Sequence, residues 1–524
     1  MFPKETRLLS LKQSPSPNVP GVSRVMANLF ARKSLDKVLG EMESGERLKR
    51  VLGPVSLTAL GIGAIIGTGI FVLVGKAARD VTGPALVLSF VFAGLACIFS
   101  ALCYAEFASM APVAGSAYTY AYLTLGELMA WIIGWDLVLE YAVASCTVAH
   151  GWSKYFQDLL KQFKIPFPEI FTNAPFDVKE GEFVSTGAWL DLPAVVISAI
   201  ITAILVRGIR ESAFFNAIMV VIKLGVVLFV IFAGIPYIVT TNWTDNFAPY
   251  GYGGLSFFGN LVWGEINPST KLPAGVLAGG ALIFFAYLGF DAVSTNAEEA
   301  KNPKRDLPIG IIGSLLVCTV LYIAVAAVLT GMVSYKDIPK EAPVAGVFEQ
   351  VGFGSARMLI SIGALTGITS VLLVMMCGQP RIFLAMSRDG LLPSSFFARV
   401  HPTFKTPWLS TILTGIVVAL GGSLLPLDIL AELTNIGTLF AFVVVCAAVL
   451  VLRVKNPTAE RGFRAPFGLF TPIAGIVMCL ILMFSLGWEN WVRLFVWLAI
   501  GFVIYFCYGL WHSRLQKEIA LEAK

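Results

Sequence analysis

Twelve stretches of this chain are apolar for about the 20 residues that a helix needs to cross a bilayer. They run 55–76, 84–110, 127–151, 191–208, 212–239, 274–297, 308–332, 356–385, 407–425, 427–452, 470–487 and 490–511. Only helices and closed barrels satisfy the backbone in lipid, and runs of this length suit helices. The charged share of 14%, against about 25% in soluble proteins, points the same way. The expected fold class is an all-α polytopic membrane protein with twelve transmembrane helices. The expected division is a tail at 1–50, five spans within 51–240, an outer loop at 241–272, five spans within 273–453, two more within 454–512, and a tail at 513–524. The 152–190 segment, with Pro166, Pro168 and Pro175, reads as another outer loop.

Orientation follows from where the basic residues fall, because cytoplasmic loops carry an excess of Lys and Arg. With the N-terminus inside, 26 of the 38 Lys and Arg residues fall on cytoplasmic segments, 11 on outer ones, and Lys223 lies within a span. Both termini are therefore expected in the cytoplasm of a cell (plasma or inner) membrane. The first 50 residues are polar and lack the apolar core of a secretory signal; they read as a cytoplasmic tail with room for a short amphipathic helix. All eight cysteines lie in apolar runs without a CxxC spacing. They read as buried small hydrophobes, with neither a structural disulfide nor a metal site expected.

The first span breaks the pattern of a plain membrane helix. Residues 61–71 read GIGAIIGTGIF, with glycines at 61, 63, 67 and 69. Each costs roughly 1 kcal/mol against Ala inside a helix, so the helix is either packed very closely or opened. The sixth span echoes it with Gly279, Gly280 and Gly289 and with Asp291 in an apolar setting. These two spans each begin a set of five, and odd-numbered sets lie in opposite orientations. Paired Gly-interrupted helices at matching positions point to a site at the interface of an inverted repeat.

An opened helix presents amides at one broken end and carbonyls at the other. A carboxylate suits the amides of Gly67, Thr68 and Gly69. An ammonium suits carbonyls near Ile62 or Gly63 in span one and Phe285 or Ala286 in span six, with Ile66, Tyr287 and Gly289 beside them. Such a pair of ends receives a zwitterion, the part common to all α-amino acids. The alternative treats the glycines as close-packing positions, since Gly63 and Gly67 form GxxxG. The spacing fits neither a dinucleotide fingerprint nor a phosphate loop.

Four stretches carry a resemblance: GIGAIIGTGIF, then CYAEFASMAPVAGSAYTY at 103–120, GFDAVSTNAEEAKNPKRDLPIGI at 289–311 and GQPRIFLAMSRDGLLP at 378–393. In this order they are similar to the cationic amino acid transporter family of the amino acid–polyamine–organocation (APC) superfamily. The resemblance implies a LeuT-like five-plus-five inverted repeat with interrupted helices 1 and 6 and two extra helices. It further implies coupled amino acid transport by alternating access, with the carboxylate on the first-span glycine loop.

Several charges lie inside the apolar runs. Lys223 is mid-span, too deep for its side chain to reach water readily. It reads either as half of a structural ion pair or as a group that titrates in each cycle. The resemblance favours the second, because proton-coupled relatives place a Lys where sodium-coupled relatives hold sodium. The proton is the expected coupling ion, and neither sodium nor another cofactor is expected. Glu140, one turn after Asp136, is a second candidate for the proton network. Phe285 and Asp291 are gating candidates; Glu106 reads as structural, and Asp428 and Glu432 as part of an outer gate. Met375 is placed to floor the side-chain pocket and to favour small neutral side chains.

The expected partners are a small-molecule L-amino acid, the lipid bilayer and a small single-span accessory subunit, with no nucleic acid. A secondary active transporter of cationic or small neutral amino acids is the leading reading. An exchanger or a non-transporting amino acid receptor would use the same site. An intramembrane enzyme lacks its signature here, with no HExxH and no Ser–His arrangement.

Overall fold

The computed structural model describes residues 29–34, 52–110, 116–179, 182–208, 212–268, 271–458 and 460–522. The expected tail at 1–50 lies outside these residues apart from 29–34, and so does the amphipathic helix expected within it. Eight helical stretches among the described residues are long and apolar enough to cross a bilayer. Four further apolar helices are shorter: α1 (Pro54–Ile65), Leu192–Arg207, Trp408–Leu424 and Phe470–Ser485.

The stretch Gly69–Met110 has 42 residues, or about 63 Å of helix, twice the thickness of the hydrocarbon layer. It turns at Gly83, whose φ of +65° favours glycine, followed by Pro84. Residues 69–82 therefore continue the direction of α1 after its break, and α2 (Leu86–Met110) starts anew. The break falls inside the expected first span, 55–76.

The remaining expected spans appear with shifted ends. The third is longer than its apolar run: α3 (Glu127–Gln162) continues eleven residues past 151. Its extra turns carry polar residues that find partners. The Gln157 amide donates to the Thr172 carbonyl at 2.7 Å and Asp158 pairs with Arg357. The others are α4 (Leu192–Arg207), α5 (Ser212–Gly234), α6 (Val276–Ile283), α7 (Pro303–Met332), α8 (Gly354–Arg388), α9 (Trp408–Leu424), α10 (Leu427–Lys455), α11 (Phe470–Ser485) and α12 (Trp488–Ile504). A short C-terminal helix, α13 (Arg514–Glu522), follows.

The chain is not purely helical. Among the described residues, three small antiparallel hairpins sit between the spans: β1 (Phe176–Lys179) with β2 (Glu182–Ser185), β3 (Leu255–Phe257) with β4 (Asn260–Trp263), and β5 (Glu265–Ile266) with β6 (Pro273–Ala274). These segments leave the apolar layer and hold enough β-branched and aromatic residues to pair locally. Seven cysteines are buried or half-buried, but Cys507 is exposed, against the expectation that all are interior.

The interrupted spans lie against each other in opposite directions. Gly275 N–H donates to Val81 at 2.8 Å at one end, and Leu52 N–H donates to Glu299 at 3.0 Å at the other. Midway, Gly69 touches Ala286 and Gly289 touches Ala64. Around this pair, α8 packs on α3, and α7 packs on α1 and α2.

Both described ends of the chain dock on one face of the bundle. Lys33 Nζ lies 2.5 Å from Asp389 Oδ1 just beyond α8. Glu127, buried at the start of α3, accepts from Tyr122 at 2.9 Å, Tyr505 at 2.9 Å and Ser513 at 2.6 Å. On that face Glu106 at the end of α2 is also buried and has the structural role expected of it. Arg453 Nε donates to it at 3.1 Å, Arg461 pairs with it at 3.0 Å, and the Ala465 amide donates at 2.9 Å. Removing one member of a buried ion cluster strands the others and costs about 3–5 kcal/mol. The Arg453→Met variant is expected to lose stability by that amount, read as a lowered denaturant midpoint in detergent micelles.

Candidate functional site

The break in span one is a local event with a visible cause. α1 stops at Ile65, and Ile66 turns to extended backbone with φ −72° and ψ +106°. The helix resumes at Gly69 with wide π turns. In span six, α6 tightens into a 3₁₀ turn at Phe284–Tyr287. Leu288 is extended at ψ +140°, and Gly289 takes φ +109°, a conformation that favours glycine.

The glycines serve close approach as well as the break. A Cβ at Gly69 would lie 2.3 Å from the Ala286 Cα, and one at Gly289 would lie 2.8 Å from the Ala64 carbonyl oxygen. Gly61 is a packing position, with room only for Ser314 of α7. The two sequence readings, packing and opening, thus hold together: the breaks meet because the residues at them are small.

The carbonyls released by the breaks have protein partners. Lys223 of α5 is fully buried and donates from Nζ to Gly63 O at 2.6 Å and to Ile66 O at 2.9 Å. Ser370 of α8 reaches the same Gly63 carbonyl at 3.4 Å. Tyr322 of α7 donates to Ile65 O at 3.0 Å, and the Ile66 amide to Ile62 O at 3.1 Å. In span six, Asn435 of α10 donates through Nδ2 to Ala281 O at 2.8 Å and Leu282 O at 3.0 Å. No carboxylate lies within ion-pair distance of Lys223 among the described residues, so it is not half of a salt bridge there.

The amide side differs. Gly67, Thr68 and Gly69 open the second helical piece, where the first N–H groups have no preceding turn to bond. The Thr68 hydroxyl beside them is 1% exposed and has no hydrogen-bond partner. It fits because Gly151 of α3 leaves it space; a Cβ there would lie 2.4 Å from Thr68 Cγ2.

These residues border a small enclosed cavity. It is lined by Ala64, Ile65, Gly67, Thr68, Gly69, Ala144, Val148, Phe285, Leu288, Val371 and Met375. The room left to the centre of a water molecule is ≈ 10 Å³, enough for about one water. Of the expected site residues, Gly67, Thr68, Gly69, Phe285 and Met375 line it. Ile62, Gly63 and Ile66 lie behind it with their carbonyls occupied. Ala286 packs on Gly69, and Gly289 on Ala64. Tyr287 faces away, donating to Phe90 O at 2.8 Å. Ala144 and Val148 of α3 were not anticipated, although small residues at 144, 148 and 151 make a helical stripe that could have marked this wall.

Below the cavity lies a buried polar cluster. Tyr141 donates to Asp291 Oδ2 at 3.0 Å, and Glu140 stands within electrostatic reach of Asp291. Glu140 Oε2, both Asp136 oxygens, Tyr104 OH and the Gln379 amide atoms are buried without partners. Midway along residues 69–82, Lys76 bonds Asp428 of α10, and Asn490 of α12 donates to Glu432 at 3.0 Å. The expected outer-gate acids therefore tie the second piece of span one to α10, and α10 to α12.

Comparison with known proteins agrees with this architecture. The family model for amino acid permeases matches residues 52–510. The methylthioribose transporter of Bacillus subtilis (strain 168) is 46% identical over 492 residues, covering 94% of this chain and 100% of that protein. The branched-chain amino acid permease of the same organism is 48% identical over 491 residues, covering 94% and 99%. A vacuolar cationic amino acid transporter of Arabidopsis thaliana is 38% identical over 433 residues, covering 82% and 68%.

Because the two breaks touch backbone to backbone, added volume there has nowhere to go. The Gly69→Ala variant is expected to lose about 1–3 kcal/mol, the usual cost of overpacking, or more if Ala286 cannot yield. A drop in the melting temperature of the purified protein checks this.

Proposed function

The chain belongs to the amino acid permease family, and on that premise we propose that it is a secondary active transporter of L-amino acids, driven by protons. In this reading it works by alternating access, with twelve crossings arranged as a five-plus-five inverted repeat plus two. The interrupted stretch 54–82 counts as one crossing, and both termini lie in the cytoplasm of a cell membrane. The antiparallel contact of spans one and six, break against break, supports the repeat. The protein is a carrier rather than an enzyme.

The observation that carries the coupling is the seat of Lys223. Its ammonium holds the Gly63 and Ile66 carbonyls, directly behind the amides of Gly67, Thr68 and Gly69. Losing its proton removes the charge and one donor, and so loosens the hold on the broken end. Protonation and an ordered carboxylate site are then linked, which is what symport requires. No sodium ion is needed in this scheme. Glu140 and Asp291 supply a second proton-carrying station beneath the cavity, and Phe285 and Asp291 act as gates.

The substrate carboxylate takes the three amides and the Thr68 hydroxyl. Of the carbonyls expected to receive its ammonium, those of Ile62, Gly63 and Phe285 already have donors, so the ammonium shares them through their second lone pairs or faces the Glu140–Asp291 side. Ala144, Val148, Val371 and Met375 make the rest of the wall apolar and narrow. We read the preferred side chains as small to branched and neutral, in line with the relative named for branched-chain amino acids.

One finding favours a second cargo. A relative 46% identical is named for methylthioribose, a neutral thioether sugar with no carboxylate to meet the amides. Competition in proteoliposomes separates the readings. Neutral amino acids should displace one another while methylthioribose does not; the reverse order would make the sugar the cargo. A gradient of 1 pH unit sustains at most about tenfold accumulation for one proton per substrate. Accumulation near that limit is expected without sodium, and in the Lys223→Met variant the ratio should fall to about 1. Uptake that needs sodium and ignores pH would remove the proton from the scheme. The Met375→Ser variant should admit larger side chains; an unchanged size range among competitors would take Met375 out of the pocket floor.

A further inference from the structure

The β3–β4 hairpin has the composition of an element that does not face water. From Tyr250 to Gly264 the chain carries no charged residue. Every residue of β4 is exposed, Val262 at 63% and Trp263 at 57%, with Phe258 in the turn at 58%. Successive residues of a strand point to opposite faces, so neither face of the hairpin's outer strand is covered by protein. Soluble surfaces rarely leave contiguous apolar patches of this kind in water.

Its place in the fold says what covers it. The Phe257 ring lies 5.1 Å from Phe484, and the Phe258 ring 4.8 Å from Trp488. Phe484 and Trp488 flank the turn that joins α11 to α12, where two apolar helices leave the hydrocarbon layer. The aromatic run continues along α12, from Phe484 to Trp491 at 4.9 Å and on to Phe495 at 6.0 Å. Phe495 is itself exposed on the surface of α12, an apolar helix long enough with its C-terminal turn to cross a bilayer. The surface of the hairpin is thus continuous with the membrane-facing surface of the last span. Aromatic residues favour that depth, where the headgroups meet the acyl chains.

We propose that the β3–β4 hairpin is an interfacial anchor, seated in the headgroup–acyl boundary of the bilayer with Phe258, Val262 and Trp263 against lipid. The anchor is wired to both interrupted spans. Leu277 N–H at the start of α6 donates to Gly253 O at 3.0 Å, and Gly275 N–H donates to Val81 O at 2.8 Å. Depth in the membrane is thereby passed to the outer ends of the two helices that form the site.

The test uses the full chain in phosphatidylcholine–phosphatidylglycerol vesicles, with Cys507→Ser removing the exposed thiol. A spin label is placed through Val262→Cys, separately through Phe258→Cys, and as a water-exposed reference through Lys340→Cys. Collision with oxygen, which partitions into lipid, is compared with collision with a water-soluble nickel chelate. Both hairpin sites should show an oxygen-to-nickel ratio severalfold above the reference. A ratio equal to the reference would put the hairpin in water and overturn the proposal. Protection from both reagents would overturn it too, by showing that a second protein surface, such as another copy of the chain, covers the hairpin.

Discussion

A helix opened inside a bilayer releases backbone groups where there is no water to receive them. Each group left unsatisfied costs about 1–3 kcal/mol. In this protein the two broken ends are satisfied unequally. Lys223, Ser370 and Tyr322 take the carbonyls of span one, and Asn435 takes those of span six. The amide end at Gly67–Gly69 has a buried, unpartnered hydroxyl beside it instead. The same break is therefore closed toward donors and open toward an acceptor. That inequality, more than the glycines themselves, is what supports the proposed carboxylate seat.

The breaks were legible because four glycines within nine residues of an apolar run weaken a helix more than close packing alone calls for. Lys223 was legible for a related reason: a charge at mid-span demands a partner. Its partners were not, since Gly63 and Ile66 lie 160 and 157 residues away in sequence. Tyr322 and Asn435 escaped notice because a tyrosine or an asparagine in a membrane helix has many uses, and only the fold shows which carbonyl it meets. Hydropathy ends α3 eleven residues early because it falls at 151 while the helix continues. Lys154, Gln157 and Asp158 keep that extension buried by pairing with residues of the following loop and of α8. Hydropathy reads the solvent preference of a residue and cannot see the partner that offsets it.

Spans one and six form a single mechanical unit. They touch at Leu52 with Glu299, at Ala64 with Gly289, at Gly69 with Ala286 and at Val81 with Gly275. Four contacts over the length of a span leave little freedom for one to move without the other. The unit is held to its surroundings by polar links at several levels, among them Tyr322 to Ile65 O, Tyr155 to Phe71 O, Tyr287 to Phe90 O and Tyr141 to Asp291. Lys76 joins it to Asp428 at one end, Lys223 and Ser370 join it to α5 and α8 in the middle, and Asn435 joins it to α10. Motion of the pair against the rest of the bundle has to pass through these links.

The cavity shows what that motion must achieve. Room for about one water is too little for any amino acid, so the cavity has to widen to take one. Phe285, on span six, lines the cavity with Val371 and Met375 of α8. Widening it means drawing α8 and span one apart. Among the described residues, the polar links between them at that level run through Ser370 and, by way of α5, through Lys223. In the proposed scheme, the proton on Lys223 governs that opening. The amides of Gly67–Gly69 and the amine of Lys223 lie on the two sides of one broken turn, Gly63 to Gly69, and under the proposed scheme a change at either is felt by the other through that short piece of backbone.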